Sequence, residues 1–220
     1  MSNKKQEIIQ AISEHKLIAI LRNVPEEKLL PLANALYAGG VRLLEITYSA
    51  DGHVTDEQTA EQIRLLATEF EDRMFVGAGT VLTCKQVELT ANAGGGYIIS
   101  PNADAQVIQK TCELGMVSLP GCLTPSEIVT AHQNGADFVK LFPASALGPD
   151  YIKAIVAPLS HIRLLAVGGI HDGNMDVYRK AGVCGFGIGT NIIDKKLLAA
   201  NDYAGIEELA KRYVSAAIGG

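Results

Sequence analysis

The sequence lacks several features that mark membrane, secreted and metal-binding proteins. None of its four cysteines stands in a C-x-x-C pair, which indicates free thiols in a reducing cytosol. No apolar run is long enough to span a bilayer, and the opening residues have no signal-peptide core. The five histidines do not cluster with cysteines or carboxylates at metal-ligand spacing. We therefore expect a cytoplasmic protein without a metal or another cofactor.

Nucleotide-binding signatures are missing as well. The glycine-rich segments 77–82 and 187–192 lack the third glycine of a dinucleotide fingerprint, and no G-x-x-x-x-G-K-[ST] loop is present. Lys and Arg number 19 against 24 Asp and Glu, which gives a net charge of −5. This balance argues against nucleic acid and anionic membranes as partners. It leaves small anionic substrates open, because a few local cations or backbone N–H groups are enough to bind them.

Apolar runs that alternate with amphipathic stretches fill residues 1–220, and no linker divides this single predicted domain. The runs are continuous, as in strands that are buried on both faces of a parallel sheet. The eight predicted strands are Leu17–Leu21, Val41–Thr47, Met74–Gly77, Tyr97–Ile99, Met116–Leu119, Phe138–Phe142, Ile162–Val167 and Cys184–Ile188.

The amphipathic stretches predict helices, three of which stop at glycines, in 93–96, 114–116 and 134–136. One helix within residues 1–16 opens the chain and another within 202–220 closes it. Eight units of about 27 residues predict a single-domain (β/α)8 TIM barrel, with a doubly wound open sheet as the alternative. The intervening predicted helices are Pro25–Ala38, Asp56–Phe70, Thr83–Ala93, Asp104–Leu114, Thr124–Asn134, Pro149–Ala157 and Asp172–Ala181.

Two charged residues lie inside apolar runs, Lys140 in DFVKLFP and Glu45 in VRLLEIT. A buried lysine with a lowered pKa can attack a carbonyl, and a buried carboxylate with a raised pKa can move protons near neutrality. The alternative is a structural ion pair between the two, or a lysine that reaches out to solvent. Together they suffice for Schiff-base chemistry at the strand ends of a barrel.

Glycine-rich turns after the seventh and eighth runs predict a phosphate site, because these loops often bind phosphate in barrels. The alternative is that the glycines only permit tight turns. Arg22 at the end of the first run could hold another substrate anion or form a surface ion pair, and Thr80 offers a hydroxyl beside bare amides. The predicted phosphate residues are Gly168, Gly169, Gly189, Thr190 and Asn191.

Six motifs in order make the chain resemble the 2-keto-3-deoxy-6-phosphogluconate (KDPG) and 4-hydroxy-2-oxoglutarate (KHG) aldolases, which are class I enzymes on a TIM barrel. The resemblance runs from Ala19 to about Ile192. It is carried by GGVR…LEIT (39–47), GAGTV (77–81), ISP (99–101), LPG (119–121), VKLFPA (139–144) and GGI (168–170).

The resemblance implies roles for individual residues. Lys140 would form the Schiff base, Glu45 would be the general acid and base, and Thr80 would contact the pyruvyl carboxylate. Pro101 and Phe142 would line the pocket. The turns at 168–169 and 189–191 would hold the distal phosphate, and the family is typically homotrimeric.

Two departures concern the substrate. No arginine follows Glu45, where gluconate-type enzymes usually carry one, and Val167 replaces their threonine before the glycine pair. In both respects the chain is more similar to the 6-phosphogalactonate-type relatives, with Arg22 as the anion-binding residue. We expect cleavage of KDPG, of KHG or of both, with the 6-phosphogalactonate compound as the alternative. A metal-free phosphosugar isomerase or synthase and a phosphate-binding module are the other functions considered.

Overall fold

The computed structural model describes residues 3–219 and shows a parallel sheet surrounded by helices. The strands are β1 (Leu17–Leu21), β2 (Leu43–Thr47), β3 (Phe75–Gly79), β4 (Tyr97–Ile99), β5 (Val117–Leu119), β6 (Gly121–Cys122), β7 (Val139–Leu141), β8 (Leu164–Val167) and β9 (Gly185–Ile188). The helices are α1 (Asn3–His15), α2 (Glu26–Ala38), α3 (Asp56–Glu69), α4 (Cys84–Asn92), α5 (Ala105–Glu113), α6 (Pro125–Gln133), α7 (Ala144–Val156), α8 (Met175–Lys180), α9 (Lys195–Ala199) and α10 (Tyr203–Ile218).

The sheet closes on itself through one interrupted strand. Its order is β5-β4-β3-β2-β1-β9-β8-β7-β6, and only Pro120 separates β5 from β6. The Lys140 N–H donates to the Pro120 carbonyl at 2.9 Å, and the Phe142 N–H donates to the Cys122 carbonyl at 3.1 Å. These bonds join β7 to the β5–β6 strand. The predicted (β/α)8 TIM barrel is therefore confirmed, with eight strand positions of which one is split in two.

Alternate residues along each strand point to opposite faces, and this periodicity produces two apolar clusters. The outer cluster lies between the strands and the surrounding helices. The inner cluster fills the barrel and includes Ile8 and Ile12 of α1, so this helix covers the N-terminal end of the barrel. A Cβ added to Gly96, just before β4, would lie 2.3 Å from Ile8 Cδ1. At the same end, Lys5 Nζ lies 2.9 Å from Asp137 Oδ2, and both side chains are nearly buried.

The helix ends follow the predicted sequence signals. Thr55 and Thr124 cap α3 and α6 with their side chains, each in a reciprocal capping box with the third helical residue. Gly94, Gly115 and Gly135 adopt φ values of 85°, 71° and 104° directly after the last turns of α4, α5 and α6. These left-handed conformations favour glycine, so the predicted stops at these three helices are confirmed.

Several boundaries differ from the prediction, and one helix was not predicted. β3 continues through Gly79 rather than ending at Gly77, because β2 pairs with it up to Gly79. The helix predicted from Pro149 is the second part of α7, which begins at Ala144 and kinks at Gly148, where φ is 75°. The short helix α9 was not predicted; Asp194 caps its first turn. Among residues 3–219, no helix has both the length and the apolar character needed to cross a membrane.

Candidate active site

The two charged residues singled out in the sequence both point into the C-terminal end of the barrel. Glu45 pairs in register with Ile20 of β1 and Gly77 of β3, and Lys140 pairs with Leu165 of β8. Only 2% of the Glu45 surface and 7% of the Lys140 surface is exposed. The structure thus places an amine and a carboxyl group together in a largely apolar interior, above the side chains that fill the barrel.

Lys140 is buried without a close counter-ion. No carboxylate of residues 3–219 lies within 4.0 Å of its amine, and Nζ lies 4.7 Å from the centre of the Phe142 ring. Burial lowers the pKa of Lys140, and the charge of Arg22 lowers it further, while the charge of Glu45 raises it. Since desolvation is the largest of these effects, the pKa of Lys140 lies below the ordinary lysine value, which makes the neutral, nucleophilic form of the amine easier to reach.

Glu45 occupies space that a glycine leaves open. A Cβ on Gly79 would lie 1.7 Å from Glu45 Oε1, so any larger residue there would displace the carboxyl group. Burial raises the pKa of Glu45, against the opposing charges of Lys140 and Arg22. A carboxyl group with a raised pKa can both take up and release a proton near neutral pH. Sequence analysis placed Gly79 in the GAGTV motif but did not identify it as the residue that leaves room for the Glu45 carboxyl group.

Tyr97 supports the site from below and was also missed. Its ring fills the space left by Gly77, where an added Cβ would lie 2.3 Å from the ring. Its hydroxyl donates to the Leu44 carbonyl, one residue before Glu45. Burial raises its pKa well above the ordinary value, and the charge of Glu45 adds to this effect. Tyr97 therefore stays neutral and fixes the backbone that carries the carboxyl group.

Thr80 follows β3 in a strained conformation. Its φ is 56°, in the left-handed region that β-branched residues rarely adopt. Such strain concentrates at functional sites, where the surrounding structure holds it in place.

Pro101 lies after β4 and is half-buried; its carbonyl approaches Gly121, where an added Cβ would lie 2.4 Å away. Phe142 is 39% exposed and lies at the mouth of the barrel.

The turn after β8 contains two left-handed glycines. Gly168 and Gly169 have φ values of 91° and 74°. A Cβ on Gly169 would lie 2.0 Å from Ser145 Oγ, and one on Gly168 would lie 3.3 Å from the Phe142 ring. The Ser145 N–H donates to the Gly168 carbonyl at 3.1 Å. This close approach brings the Ser145 hydroxyl to the turn, a neighbour that sequence analysis did not identify.

The turn after β9 lies beside the glycine pair. Gly189 is half-buried, Thr190 is exposed, and Asn191 donates from Nδ2 to the Ile170 carbonyl at 2.8 Å. The Asn191 side chain thereby links the two turns.

Val167, the last residue of β8, is 8% exposed and points into the barrel. Gly187 leaves room for its side chain, since a Cβ on that glycine would lie 2.9 Å from Val167 Cγ2.

Arg22 is exposed at the end of β1, next to the strand that carries Glu45. Its charge acts on both Glu45 and Lys140, and no carboxylate in the described part of the chain pairs with it within 4.0 Å. It is therefore available to an anionic ligand.

Across residues 3–219, no three His, Cys, Asp or Glu side chains are grouped so as to hold a metal ion. The site combines a buried amine, a buried carboxyl group, an exposed guanidinium group and two glycine-rich turns.

Comparison with known proteins identifies relatives over most of the chain. The chain is 37% identical to the 2-dehydro-3-deoxy-6-phosphogalactonate aldolase of Escherichia coli K12 over 177 residues, 80% of this chain and 83% of that protein. It is 32% identical to the KHG/KDPG aldolase of the same organism over 220 residues, 99% of both.

Among solved structures, one similar chain is the KDPG aldolase of Legionella pneumophila, with pyruvate captured as a covalent carbinolamine intermediate. The TM-score is 0.81 at 27% identity, over 92% of this chain and 96% of that one. The family model described as "KDPG and KHG aldolase" matches residues 8–209. On these findings the chain belongs to the KDPG and KHG aldolase family.

Proposed function

We propose that the protein is a class I aldolase that cleaves a 2-oxo-4-hydroxy acid into pyruvate and an aldehyde. The observation that carries this proposal is the buried pair at the C-terminal end of the barrel, in which Lys140 lacks a close counter-ion and Glu45 is protected from solvent. The proposed substrates are KDPG and KHG, which would yield glyceraldehyde 3-phosphate and glyoxylate as aldehydes.

Lys140 is the proposed nucleophile. The neutral amine attacks the C2 ketone of the substrate to give a carbinolamine. With one proton taken up from solvent, the C2 hydroxyl leaves as water and the adduct becomes a protonated imine, which draws electrons from the C3–C4 bond; the proton is returned when the imine is hydrolysed. Because the amine is covalently attached throughout, one difficult bond cleavage is divided into easier steps.

Glu45 is the proposed proton-transfer group. Its carboxylate removes the proton from the C4 hydroxyl, directly or through a water molecule, and the electron pair of that O–H bond forms the aldehyde carbonyl. The C3–C4 bond breaks, and its electrons move to the imine to form a neutral enamine. Protonation at C3 restores the imine, and addition of water then releases pyruvate and regenerates the Lys140 amine.

The remaining site residues are proposed to bind the substrate. Thr80 is placed to contact the carboxylate of the pyruvyl half, with Pro101 and Phe142 as walls, and Arg22 binds an anionic group. Val167 lies near the reacting carbons. The distal phosphate is proposed to lie against backbone N–H groups of the two glycine-rich turns, at Gly168, Gly169, Gly189, Thr190 and Asn191.

The 6-phosphogalactonate compound is a second proposed substrate. The sequence identity of 37% to an aldolase named for that compound supports it, as does Val167 in place of a residue with a hydroxyl.

We further propose, on the family resemblance, that the enzyme is a cytoplasmic homotrimer. Analytical ultracentrifugation at micromolar concentration checks the trimer.

Trapping with borohydride tests the proposed mechanism. Reduction in the presence of pyruvate is expected to add one reduced pyruvyl unit to the intact protein, and peptide mapping is expected to locate it at Lys140. Lys140→Met should prevent the adduct, whereas Lys153→Met, which alters a lysine on α7, should not. Modification at a different lysine, or no modification of the wild-type protein, would refute the Schiff-base mechanism and favour an isomerase or a binding module.

A further inference from the structure

A second cavity opens beside the candidate site, between the loop after β1 and the segment after β9. We call it the side pocket; its volume is about 290 Å³. It shares Arg22, Gly189 and Thr190 with the candidate active site, and its inner wall is apolar, with Ile193 and Leu198 among the lining residues. A cavity of this size accommodates a small organic molecule or one end of a longer one.

The charges around the side pocket have one sign. Within residues 3–219, its charged lining residues are Arg22, Lys28 and Lys195. The chain as a whole carries a net charge of −5, so this cluster of cations is opposite to the overall charge. Cations grouped around an apolar cavity attract anions, because the low-dielectric walls focus their field.

Lys28 is held in place for such a role. Its ammonium group donates to the Leu198 carbonyl at 2.8 Å and to the Ala199 carbonyl at 3.3 Å, at the end of α9. An ammonium group has three N–H donors, so one donor remains for a ligand after these two bonds. Since the backbone already orders this side chain, little conformational entropy is lost when a ligand binds.

We propose that the side pocket binds a small organic anion, whose acid group contacts Lys28 and Lys195 and whose carbon part packs against Ile193 and Leu198. This inference goes beyond the proposed function, which gives no role to Lys28, Lys195, Ile193 or Leu198. The anion has two possible sources with the same chemistry. It is either the distal acid group of a longer substrate or a separate molecule that binds next to the substrate.

Occupancy of the side pocket is expected to affect the reaction at Lys140, because Arg22 lies in both sites. The charge of Arg22 helps to keep the pKa of Lys140 low. An anion beside Arg22 offsets that charge, so a larger fraction of the Lys140 amine is protonated at a given pH. A bound anion therefore slows the formation of the pyruvate adduct, and the effect is larger at low pH than at high pH.

Calorimetric titration with glycerol 3-phosphate tests the site. We expect Lys28→Met and Lys195→Met each to weaken binding about ten-fold, which corresponds to one charged hydrogen bond. Lys28→Arg should retain most of the affinity, because it keeps the charge. Lys180→Met is the matched control: it makes the same change in net charge at the end of α8, where Lys180 pairs with Asp176, and should bind as the wild type does.

Two results would overturn the proposal. One is unchanged affinity in Lys28→Met and Lys195→Met. The other is loss of binding in Gly169→Ala alone, which would locate the anion at the glycine-rich turn. Pyruvate trapping at Lys140 is measured in every variant, so failure of the proposed function is seen separately. If the site exists, a raised KM for KDPG in the lysine variants assigns it to the substrate, and an unchanged KM assigns it to a separate anion.

Discussion

Each of the two ends of the barrel has a buried lysine beside a buried or nearly buried carboxyl group, and the two pairs are arranged differently. At the N-terminal end, Lys5 Nζ lies 2.9 Å from Asp137 Oδ2, and the same oxygen accepts from the Ser118 N–H at 2.9 Å. At the C-terminal end, Lys140 and Glu45 interact electrostatically but are further apart than 4.0 Å.

The difference in distance distinguishes a pair that stabilises the fold, Lys5 and Asp137, from a pair that is proposed to react, Lys140 and Glu45. A direct ion pair offsets part of the desolvation cost of the two charges and holds the two side chains together. Without that contact, desolvation dominates: the pKa of Lys140 falls and the pKa of Glu45 rises. A lysine that attacks a carbonyl needs a carboxyl group that is close but not in direct contact. The direct ion pair instead holds α1 against the N-terminal end of the barrel.

The largest expected effect is on turnover at the C-terminal end. Glu45→Gln keeps the shape of the side chain but removes its ability to accept a proton, so kcat for aldol cleavage should fall by about 10²–10⁴-fold. Pyruvate trapping at Lys140 should persist. Steady-state kinetics and intact-mass measurement check this; turnover close to the wild-type value would show that Glu45 is only a structural partner.

Disruption of the N-terminal pair, Lys5 and Asp137, should lower the free energy of unfolding rather than turnover. Lys5→Met leaves the Asp137 carboxylate without its cation and should reduce the free energy of unfolding by about 3 kcal/mol, with kcat of the folded enzyme unchanged. Urea unfolding followed by circular dichroism gives the value. Lys140→Met, which breaks no close ion pair, is the matched comparison and should cost less than about 1 kcal/mol. Equal losses in the two variants would contradict the distinction between the pairs.

The pH dependence of adduct formation should shift in opposite directions in two variants. Arg22→Gln removes a charge that lowers the pKa of Lys140, so the low-pH side of the curve of trapping rate against pH should move to higher pH. Glu45→Gln removes a charge that raises this pKa, so the same side of the curve should move to lower pH. The rate of borohydride trapping with pyruvate, measured across pH, reports both. Shifts in the same direction would mean that another group controls the amine.

The smallest expected effect concerns the C4 configuration of the substrate. Val167 offers no hydrogen bond, so the wild-type enzyme should cleave both C4 epimers of the six-carbon phosphorylated acid. It should also accept KHG at lower efficiency. Val167→Thr adds a hydroxyl and should change the ratio of kcat/KM values by about five-fold toward the gluconate epimer, the worth of one neutral hydrogen bond. An unchanged ratio would show that the discriminating contact lies elsewhere.

The barrel was predictable because its strands are continuous apolar runs and its helices end at left-handed glycines such as Gly94 and Gly135. Lys140 and Glu45 were recognisable because charge inside such a run is costly without a role. The requirement for glycine at position 79 was not recognisable, because it comes from the Glu45 carboxyl group on the adjacent strand β2. The same applies to Tyr97 and Ser145, whose contacts join distant parts of the chain.

The hydrogen bond from Asn191 to the Ile170 carbonyl has a consequence for protein engineering. It links two loops that follow the adjacent strands β8 and β9, so the part of the rim that is proposed to hold the far end of the substrate is built as one piece rather than two. A loop transplanted from a relative into positions 168–171 would lose this anchor unless the residue at 191 still matches it. Exchange of both loops as a unit is therefore the appropriate way to alter which aldehydes the enzyme accepts.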